Sequence, residues 1–425
     1  MRSARRWGRY KMAVMAPRLD QSELRRRALA RRRGERFGRG DRSALGTWFW
    51  EIDRVLLLLV TLLIGIGLIA VAAAAPAAAQ RYSDATHIMP ARYYFWRQLV
   101  WTGLAVPVMI GVSMLPKVVA RRMALVGAAL FMLMLIMVPV MGGAQINGAQ
   151  RWIFLGPLQI QPSEFLKPLF VVAVAWLLSL KEKDAKLPVV PLSFILLAVI
   201  AAFLMKQPDF GEAVIFVSVW LVLLTLSGVP MKWLGALGGA GIGAIGLAYL
   251  FYPVATMRIN AFLKIGDASR QVDDYQMVSA YRTITHGGLI GTGPGAGTMK
   301  FGLPEPHTDY IFSVIGEEFG LIACLAIALI FLAIVVRVFV KLLHEEDRFL
   351  FFASAGLVTQ FGLQALINML VNVHLAPSKG MTLPFISYGG SSMIALSIGF
   401  GLLLAFTRKN PYLDRSPYVV TWGAK

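Results

Sequence analysis

One cysteine, Cys324, is all that the 425 residues contain, so neither an intramolecular disulfide nor a cysteine-built zinc site can form. Histidine is nearly as scarce. His87, His286, His307, His344 and His374 never take a His-x-x-x-His spacing, which argues against a histidine metal centre. Charged residues make up 15% of the chain against 57% apolar ones. That excludes disorder except at the ends and points to a chain mostly dissolved in lipid. No short apolar core follows closely behind the basic start, so the N-terminus does not read as a secretory signal.

What the sequence has in excess is positive charge. The formal net charge is +19 and the pI about 10.2, a balance that fits nucleic acid or an anionic membrane surface as partner. Residues 1–54 carry 16 Lys and Arg against 6 Asp and Glu, with Arg25–Arg27 and Arg31–Arg33 as the densest runs. This segment reads as a disordered cytoplasmic tail resting on anionic lipid, with docking of a partner as the alternative.

A membrane span needs about 20 mostly apolar residues. Ten stretches qualify: 55–78, 97–115, 123–141, 164–180, 188–205, 213–228, 233–252, 310–336, 350–373 and 383–406. The expected fold is therefore all-α and polytopic, with the ten-span domain over 55–406 and a short C-terminal tail over 407–425. With both termini cytoplasmic, 30 of the 42 basic residues fall on the inner side, as the positive-inside rule requires. The outer side keeps 12 basic and 11 acidic residues. The high pI is then a signature of topology, and no nucleic-acid partner is called for.

In this orientation every unusual loop is external: Gly148–Trp152, Gln161–Glu164, Lys206–Asp209, Pro304–Asp309 and Lys379–Gly390. The N-termini of spans four, six, eight and ten face the same way, and helix N-termini attract phosphate. Ionisable residues gather there too: Glu164, Lys167, Lys206, Asp209, Glu212, Asp309, Glu317 and Glu318. Glu164 and Lys167 stand one helical turn apart and are expected to form a structural ion pair. Glu317 and Glu318 are adjacent, so one is expected to face the bundle interior and the other a water-filled cleft. Segment 253–309 is too long for a connector. Its run Gly287–Gly297 fits neither a dinucleotide fingerprint nor a P-loop. It reads as a flexible loop or as a glycine-lined approach for a bulky ligand. For base chemistry the candidates are Asp309 or Glu305, with His307 between them in a capping or hydrogen-bonding role.

The motifs Gly148-Ala-Gln-Arg-Trp-Ile153, Gln161-Pro-Ser-Glu-Phe-Leu-Lys167, Gln207-Pro-Asp209, Leu303-Pro-Glu-Pro-His-Thr-Asp-Tyr-Ile-Phe312, Ile315-Gly-Glu-Glu318 and Leu383-Pro-Phe-Ile-Ser-Tyr-Gly-Gly-Ser-Ser392 occur in this order. Together they resemble the SEDS family (shape, elongation, division and sporulation) over about residues 50 to 410. Ile315–Glu318 and Lys379-Gly-Met-Thr-Leu-Pro384 resemble its division branch, FtsW, more than its elongation branch, RodA. Tyr310 replaces the more usual Phe, and Thr285-His286 stands where the family often has Gly-Ser.

The resemblance implies ten spans and an inverting peptidoglycan glycosyltransferase that polymerises lipid II at the outer face of the cytoplasmic membrane, at the division septum. It also implies a class B penicillin-binding transpeptidase of the FtsI type as partner, among other divisome membrane proteins. In that scheme Asp309 is the catalytic base. Arg151, Lys300 and Lys379, with Glu305, His307 and Ser387, are placed among the substrate contacts. The acceptor's GlcNAc 4-hydroxyl is a poor nucleophile, so a carboxylate within about 3 Å should help by roughly 10²–10⁴-fold. The pyrophosphate leaving group needs charge stabilisation more than a general acid. No cofactor is required; a divalent cation bridging the pyrophosphate is compatible, although the scattered acids give no ligand set. An elongation-type polymerase, a lipid II flippase and a non-catalytic division scaffold are the alternatives. A transporter should carry ionisable groups near the bilayer midplane, whereas here they sit at span ends.

Overall fold

The computed structural model describes residues 43–83, 88–139, 151–155, 158–182, 184, 186–252, 256, 259–260, 272–377 and 380–409. The chain divides into two units, residues 1–51 with 410–425, and residues 52–409. In the first, helix α1 (Ala44–Glu51) is described, with the Ser43 hydroxyl accepting the Gly46 N–H at 3.0 Å. The expected disordered tail therefore ends in a helix, while residues 1–42 and 410–425 lie outside the described residues.

The second unit is helical apart from a small antiparallel hairpin, β1 (Ile153–Leu155) and β2 (Leu158–Ile160), in which Phe154 pairs with Gln159. Its first helices are α2 (Arg54–Arg81), α3 (Tyr93–Met114), α4 (Lys117–Met137), α5 (Pro162–Leu180) and α6 (Val189–Lys206). There follow α7 (Phe210–Leu226), α8 (Met231–Phe251), α9 (Val272–His286), α10 (Ile311–Leu342), α11 (Arg348–Asn372) and α12 (Gly390–Phe406). Among the described residues, α2, α3, α4, α5, α6, α8, α10 and α11 are long and apolar enough to cross a membrane. The protein is thus an all-α polytopic membrane fold. Two of the ten expected spans, α7 and α12, are shorter apolar helices of 17 residues, about 25 Å each at 1.5 Å per residue. The tenth expected span, 383–406, becomes helical only from Gly390, because Leu383–Gly389 is an ordered non-helical segment packed into the site.

Helices α5 and α11 form the centre. Each lies mostly buried, as a helix enclosed by others does. Around them α3 packs on α12, α4 on α5, α7 on α11, and α10 on α2, α9 and α11. Pro162 at the first position of α5 has the fixed φ a helix start requires and lacks only an N–H that would have no partner there.

Helix α10 is broken at Gly320, whose φ of 80° and ψ of 177° no helical residue adopts. The break strands two carbonyls and two N–H groups in a region where lipid offers no partners. The glycine run supplies them. Thr292 and Gly293 donate their N–H groups to the Glu317 and Glu318 carbonyls at 2.9 and 3.0 Å. Leu321 and Ile322 donate to the Gly288 and Leu289 carbonyls at 3.0 and 3.2 Å. The contact requires glycine: a Cβ on Gly320 would sit 2.3 Å from the Leu289 carbonyl oxygen, and one on Gly291 2.2 Å from that of Glu318. Gly287–Gly297 is therefore a splint on a broken helix, bonded in place where its composition suggested a flexible loop.

One end of the bundle is tied by cations. Asp53 caps α2 by accepting from Val55 and Leu56 at 3.0 and 3.2 Å, and it pairs with Arg337 at 3.0 Å and Lys341 at 2.7 Å near the end of α10. Arg408 holds the Met114 and Leu115 carbonyls after α3.

Gly320→Ala should destabilise the protein, by roughly 1–3 kcal/mol from backbone strain alone and further through the clash with Leu289. The check is the thermal unfolding midpoint in detergent, which should fall clearly below wild type.

Candidate active site

At the opposite end, the chain between the splint and α10 makes a tight turn, Leu303–Tyr310, followed directly by the buried first turns of α10. Glu305 takes a left-handed φ of 49°, a strained conformation for a residue with a side chain. Its carbonyl accepts from Thr308 and Tyr310 at 3.3 and 3.4 Å, closing the turn. Asp309 is the residue before the one that caps α10, and it is partly buried.

The turn is gripped from three sides. From α11, the Asn368 and Asn372 side-chain amides both donate to the Asp309 carbonyl, at 2.9 and 3.1 Å. From the segment before α12, the Ser387 hydroxyl donates to the Thr308 carbonyl at 2.6 Å and accepts the Leu383 N–H at 2.8 Å. The Tyr388 N–H donates to the His307 carbonyl at 2.8 Å. From the end of α2, the Tyr82 hydroxyl donates to Glu305 Oε1 at 2.5 Å, and Thr308 Oγ1 donates to Glu305 Oε2 at 2.9 Å. Burial, then the neighbouring Glu305 carboxylate, hold the Tyr82 hydroxyl far above its usual pKa, so it stays a donor. The Asp309 carboxyl itself turns toward the 380–383 segment: a Cβ on Gly380 would lie 3.2 Å from its Oδ2.

Several expected substrate contacts are placed elsewhere. Lys300 is 1% exposed. Its amine binds the buried Glu318 carboxylate and, at 3.0 Å, the Ala73 carbonyl, so it cannot reach a ligand from there. Glu317 is buried too, contrary to the expectation that one of the pair faces a cleft. It accepts the N–H groups of Thr298, Met299 and Lys300 at 2.8, 2.7 and 3.0 Å, and His286 Nδ1 lies 3.2 Å away. Both glutamates bind the chain that follows the splint.

Ser387 is likewise buried and fully used as a brace. His307 is 3% exposed, its ring 4.1 Å from that of Tyr94 and 5.2 Å from that of Tyr388. It packs inside an aromatic cage rather than facing a substrate. Burial, opposed by the Glu305 charge, pushes its pKa down to about 4. Arg151 donates to the Gln207 and Pro208 carbonyls at 3.2 and 2.6 Å and pairs with Asp209 at 3.4 Å, tying the sheet to the turn before α7. Its side chain is 22% exposed, so one edge stays open to a ligand. Glu305 is partly buried, within the turn that carries Asp309. Lys379 lies outside the described residues.

Lys167 is 3.0 Å from both Glu164 and Glu212. The three side chains are buried at the starts of α5 and α7, so the single pair expected of Glu164 and Lys167 is a triad. Its amine also approaches Gln364 Oε1 at 3.5 Å.

Gln364 opens the feature that the sequence reading missed. Gln360, Gln364, Asn368 and Asn372 recur every fourth residue on α11, and all four are buried. The signal was present, since four amides at i, i+4 spacing inside an apolar span are costly unless partnered. Among the described residues, no three His, Cys, Asp or Glu side chains are grouped as a metal ion would need. The residues described do not fit a resident cation, and no chemistry is derived through one.

The family model described as "Cell cycle protein", for FtsW, RodA and SpoVE, matches residues 53–412. A probable peptidoglycan glycosyltransferase FtsW from Caulobacter vibrioides is 38% identical over 379 residues, covering 88% of this chain and 94% of the relative. One of the same name from Geobacter metallireducens is 35% identical, covering 72% and 77%. Among solved structures, a chain of a peptidoglycan synthase complex that coordinates polymerization and crosslinking is 25% identical, with a TM-score of 0.66 over 84% of this chain and 97% of that one. The rod shape determining protein RodA of Thermus thermophilus is 26% identical, with a TM-score of 0.60 over 84% and 96%.

Two outcomes are expected of this geometry. Lys167→Met leaves two buried carboxylates without a cation and should cost on the order of 3–5 kcal/mol; adding Glu212→Gln should recover part of the loss in detergent thermal unfolding. His307, ordinarily near 6.5 and here near 4, binds a proton more readily when unfolded. Its contribution is fully present above about pH 6.5 and is lost as pH falls through about 4. The unfolding midpoint should drop over that window, and less steeply in His307→Phe.

Proposed function

The chain belongs to the FtsW, RodA and SpoVE family of cell cycle proteins and is a peptidoglycan glycosyltransferase, and from that premise we propose that it polymerises lipid II with Asp309 as general base. The observation that carries the assignment is the Asp309 turn. The backbone of the turn that carries this partly buried carboxylate is held from three sides, at the end of the bundle opposite the Asp53, Arg337 and Lys341 cluster. Ten spans, with α7 and α12 crossing as short helices, put both termini in the cytoplasm and this turn at the extracytoplasmic face.

In the proposed reaction the acceptor's GlcNAc 4-hydroxyl attacks the anomeric carbon of the donor's MurNAc. The C4 oxygen to anomeric carbon bond forms as the anomeric carbon to phosphate oxygen bond breaks. The hydroxyl proton passes to the Asp309 carboxylate, and undecaprenyl pyrophosphate leaves with the bonding pair. A single displacement inverts the anomeric centre. Positioning and base catalysis act together, and the base contributes roughly 10²–10⁴-fold. With Lys300 buried against Glu318, Arg151 and Lys379 are the cations proposed for the pyrophosphate.

The FtsW names of the relatives favour the division branch, and hence the septum as the place of action. The likeness to a chain of a synthase complex that polymerises and crosslinks favours a transpeptidase of the class B penicillin-binding type as partner. Purified with that partner, the wild-type protein should convert lipid II to glycan strands. Asp309→Ala should make none while keeping the wild-type unfolding midpoint. Polymerisation by that variant at wild-type rate would remove Asp309 from the chemistry, and lipid II translocation without polymerisation would favour a flippase.

A further inference from the structure

We infer that Asn368 and Asn372 are positioning residues for Asp309, as the upper rungs of an amide ladder on α11 that is footed on the Lys167 ion triad. The inference rests on Asp309 being the base. Counting up the helix, Lys167 Nζ reaches Gln364 Oε1 at 3.5 Å, and Gln364 Nε2 donates to the Thr382 carbonyl at 3.1 Å. One turn on, Asn368 Nδ2 donates to the Met381 carbonyl at 2.7 Å and to the Asp309 carbonyl at 2.9 Å. One turn further, Asn372 Nδ2 donates to the same Asp309 carbonyl at 3.1 Å and to the Asn368 carbonyl at 2.9 Å. Its Oδ1 accepts the N–H and hydroxyl of Ser313 at 3.0 and 2.8 Å.

The arrangement does more than satisfy buried amides. Asn368 joins the peptide of Asp309 to the 380–383 segment, the two chains between which the carboxyl lies. Asn372 joins that peptide to the first turn of α10. Two donors on one carbonyl fix both the height and the rotation of the Asp309 peptide, which sets where the carboxyl points. Loss of either lets the carboxylate drift, and a misplacement of about 1 Å costs on the order of 10²-fold in rate. Gln360 completes the face but not the chain of contacts. Among the described residues its Oε1 has no hydrogen-bond partner, and Gln360 borders a small cavity with Glu164, Pro168 and Phe400.

The test measures lipid II polymerisation by the complex with its transpeptidase, with unfolding midpoints recorded for every variant. Asn368→Ala is expected to lower kcat about 10- to 100-fold with KM changed less than about threefold, since the interaction acts on the reacting group and not on substrate binding. Gln360→Met should stay within about twofold of wild type. Asn368→Asp sets a second carboxylate near Asp309, so the pH of half-maximal kcat on the acid side should rise. That shift identifies Asp309 as the group titrating on the acid limb, while the kcat loss at little change in KM reports the positioning. A folded Asn368→Ala at wild-type kcat, or equal losses in it and Gln360→Met, would each overturn the inference; an unmoved acid limb in a folded and active Asn368→Asp would overturn the base assignment on which it rests. If Asn368→Ala does not fold, Asn368→Ser carries the same kcat reading, because one hydroxyl cannot donate to two carbonyls at once. Asp309→Ala run alongside separates the two layers. If it polymerises, the base assignment falls; if it is inactive while the asparagine variants are normal, only the ladder falls.

Discussion

Hydrocarbon offers no hydrogen bonds, and every polar group in this bundle that leaves a helical ladder must find its partner in protein. That constraint explains the features that look least like a membrane helix bundle. When α10 breaks at Gly320, the glycine run from 287 to 297 supplies the four missing backbone partners. Where Lys167 sits buried at the start of α5, two glutamates meet it from α5 and α7. Where α11 carries four buried amides, three of them bond outward to the segments that surround the site. Partnered polar groups of this kind favour one arrangement, because an alternative that leaves such a group unpaired costs a few kcal/mol.

The broken helix and the candidate site are one construction. Glu317 and Glu318 lie on the turn just before the break. They bind the chain at Gly295, Thr298, Met299 and Lys300. That chain then runs straight into the Glu305–Asp309 turn, and Lys300 pins it to the Ala73 carbonyl of α2. An unbroken α10 would have no free carbonyls for the splint to meet, and residues 299–309 would lose their anchor. The strain at Glu305 is held by Tyr82 and Thr308, and the backbone on either side of it by Asn368, Asn372, Ser387 and Tyr388. Preorganisation of this kind suits a base that must meet a poor nucleophile without rearranging.

Much of the site's location was legible and much of its wiring was not. Loops singled out by their motifs do meet in pairs: the Gln207–Asp209 turn with Arg151, the Thr308 carbonyl with Ser387, the Asp309 carboxyl with Gly380. Three of the polar residues that the resemblance places among the substrate contacts turn inward in the structure. Lys300, His307 and Ser387 are each under 5% exposed. A loop lysine, histidine or serine looks the same in sequence whether it faces a ligand or a buried carbonyl, since local spacing carries no record of its partner. The amide face of α11 is the reverse case: its regular i, i+4 pattern stands in the sequence, while the carbonyls it binds come from segments distant in the chain.

The sequence by itself determined which segments are apolar enough to enter a membrane, where the basic residues lie between them, and which motifs place the chain in its family. These follow from composition along a line, because partition into lipid depends on the side chains of one segment at a time. Only the tertiary structure decided that Lys300 closes on Ala73, 227 residues away, and Tyr82 on Glu305, 223 residues away. It alone decided that a glycine run completes a broken helix, and that two asparagines share one carbonyl. Those outcomes depend on which free donor meets which free acceptor once the helices have packed, and a buried polar group's partner is chosen by proximity in space.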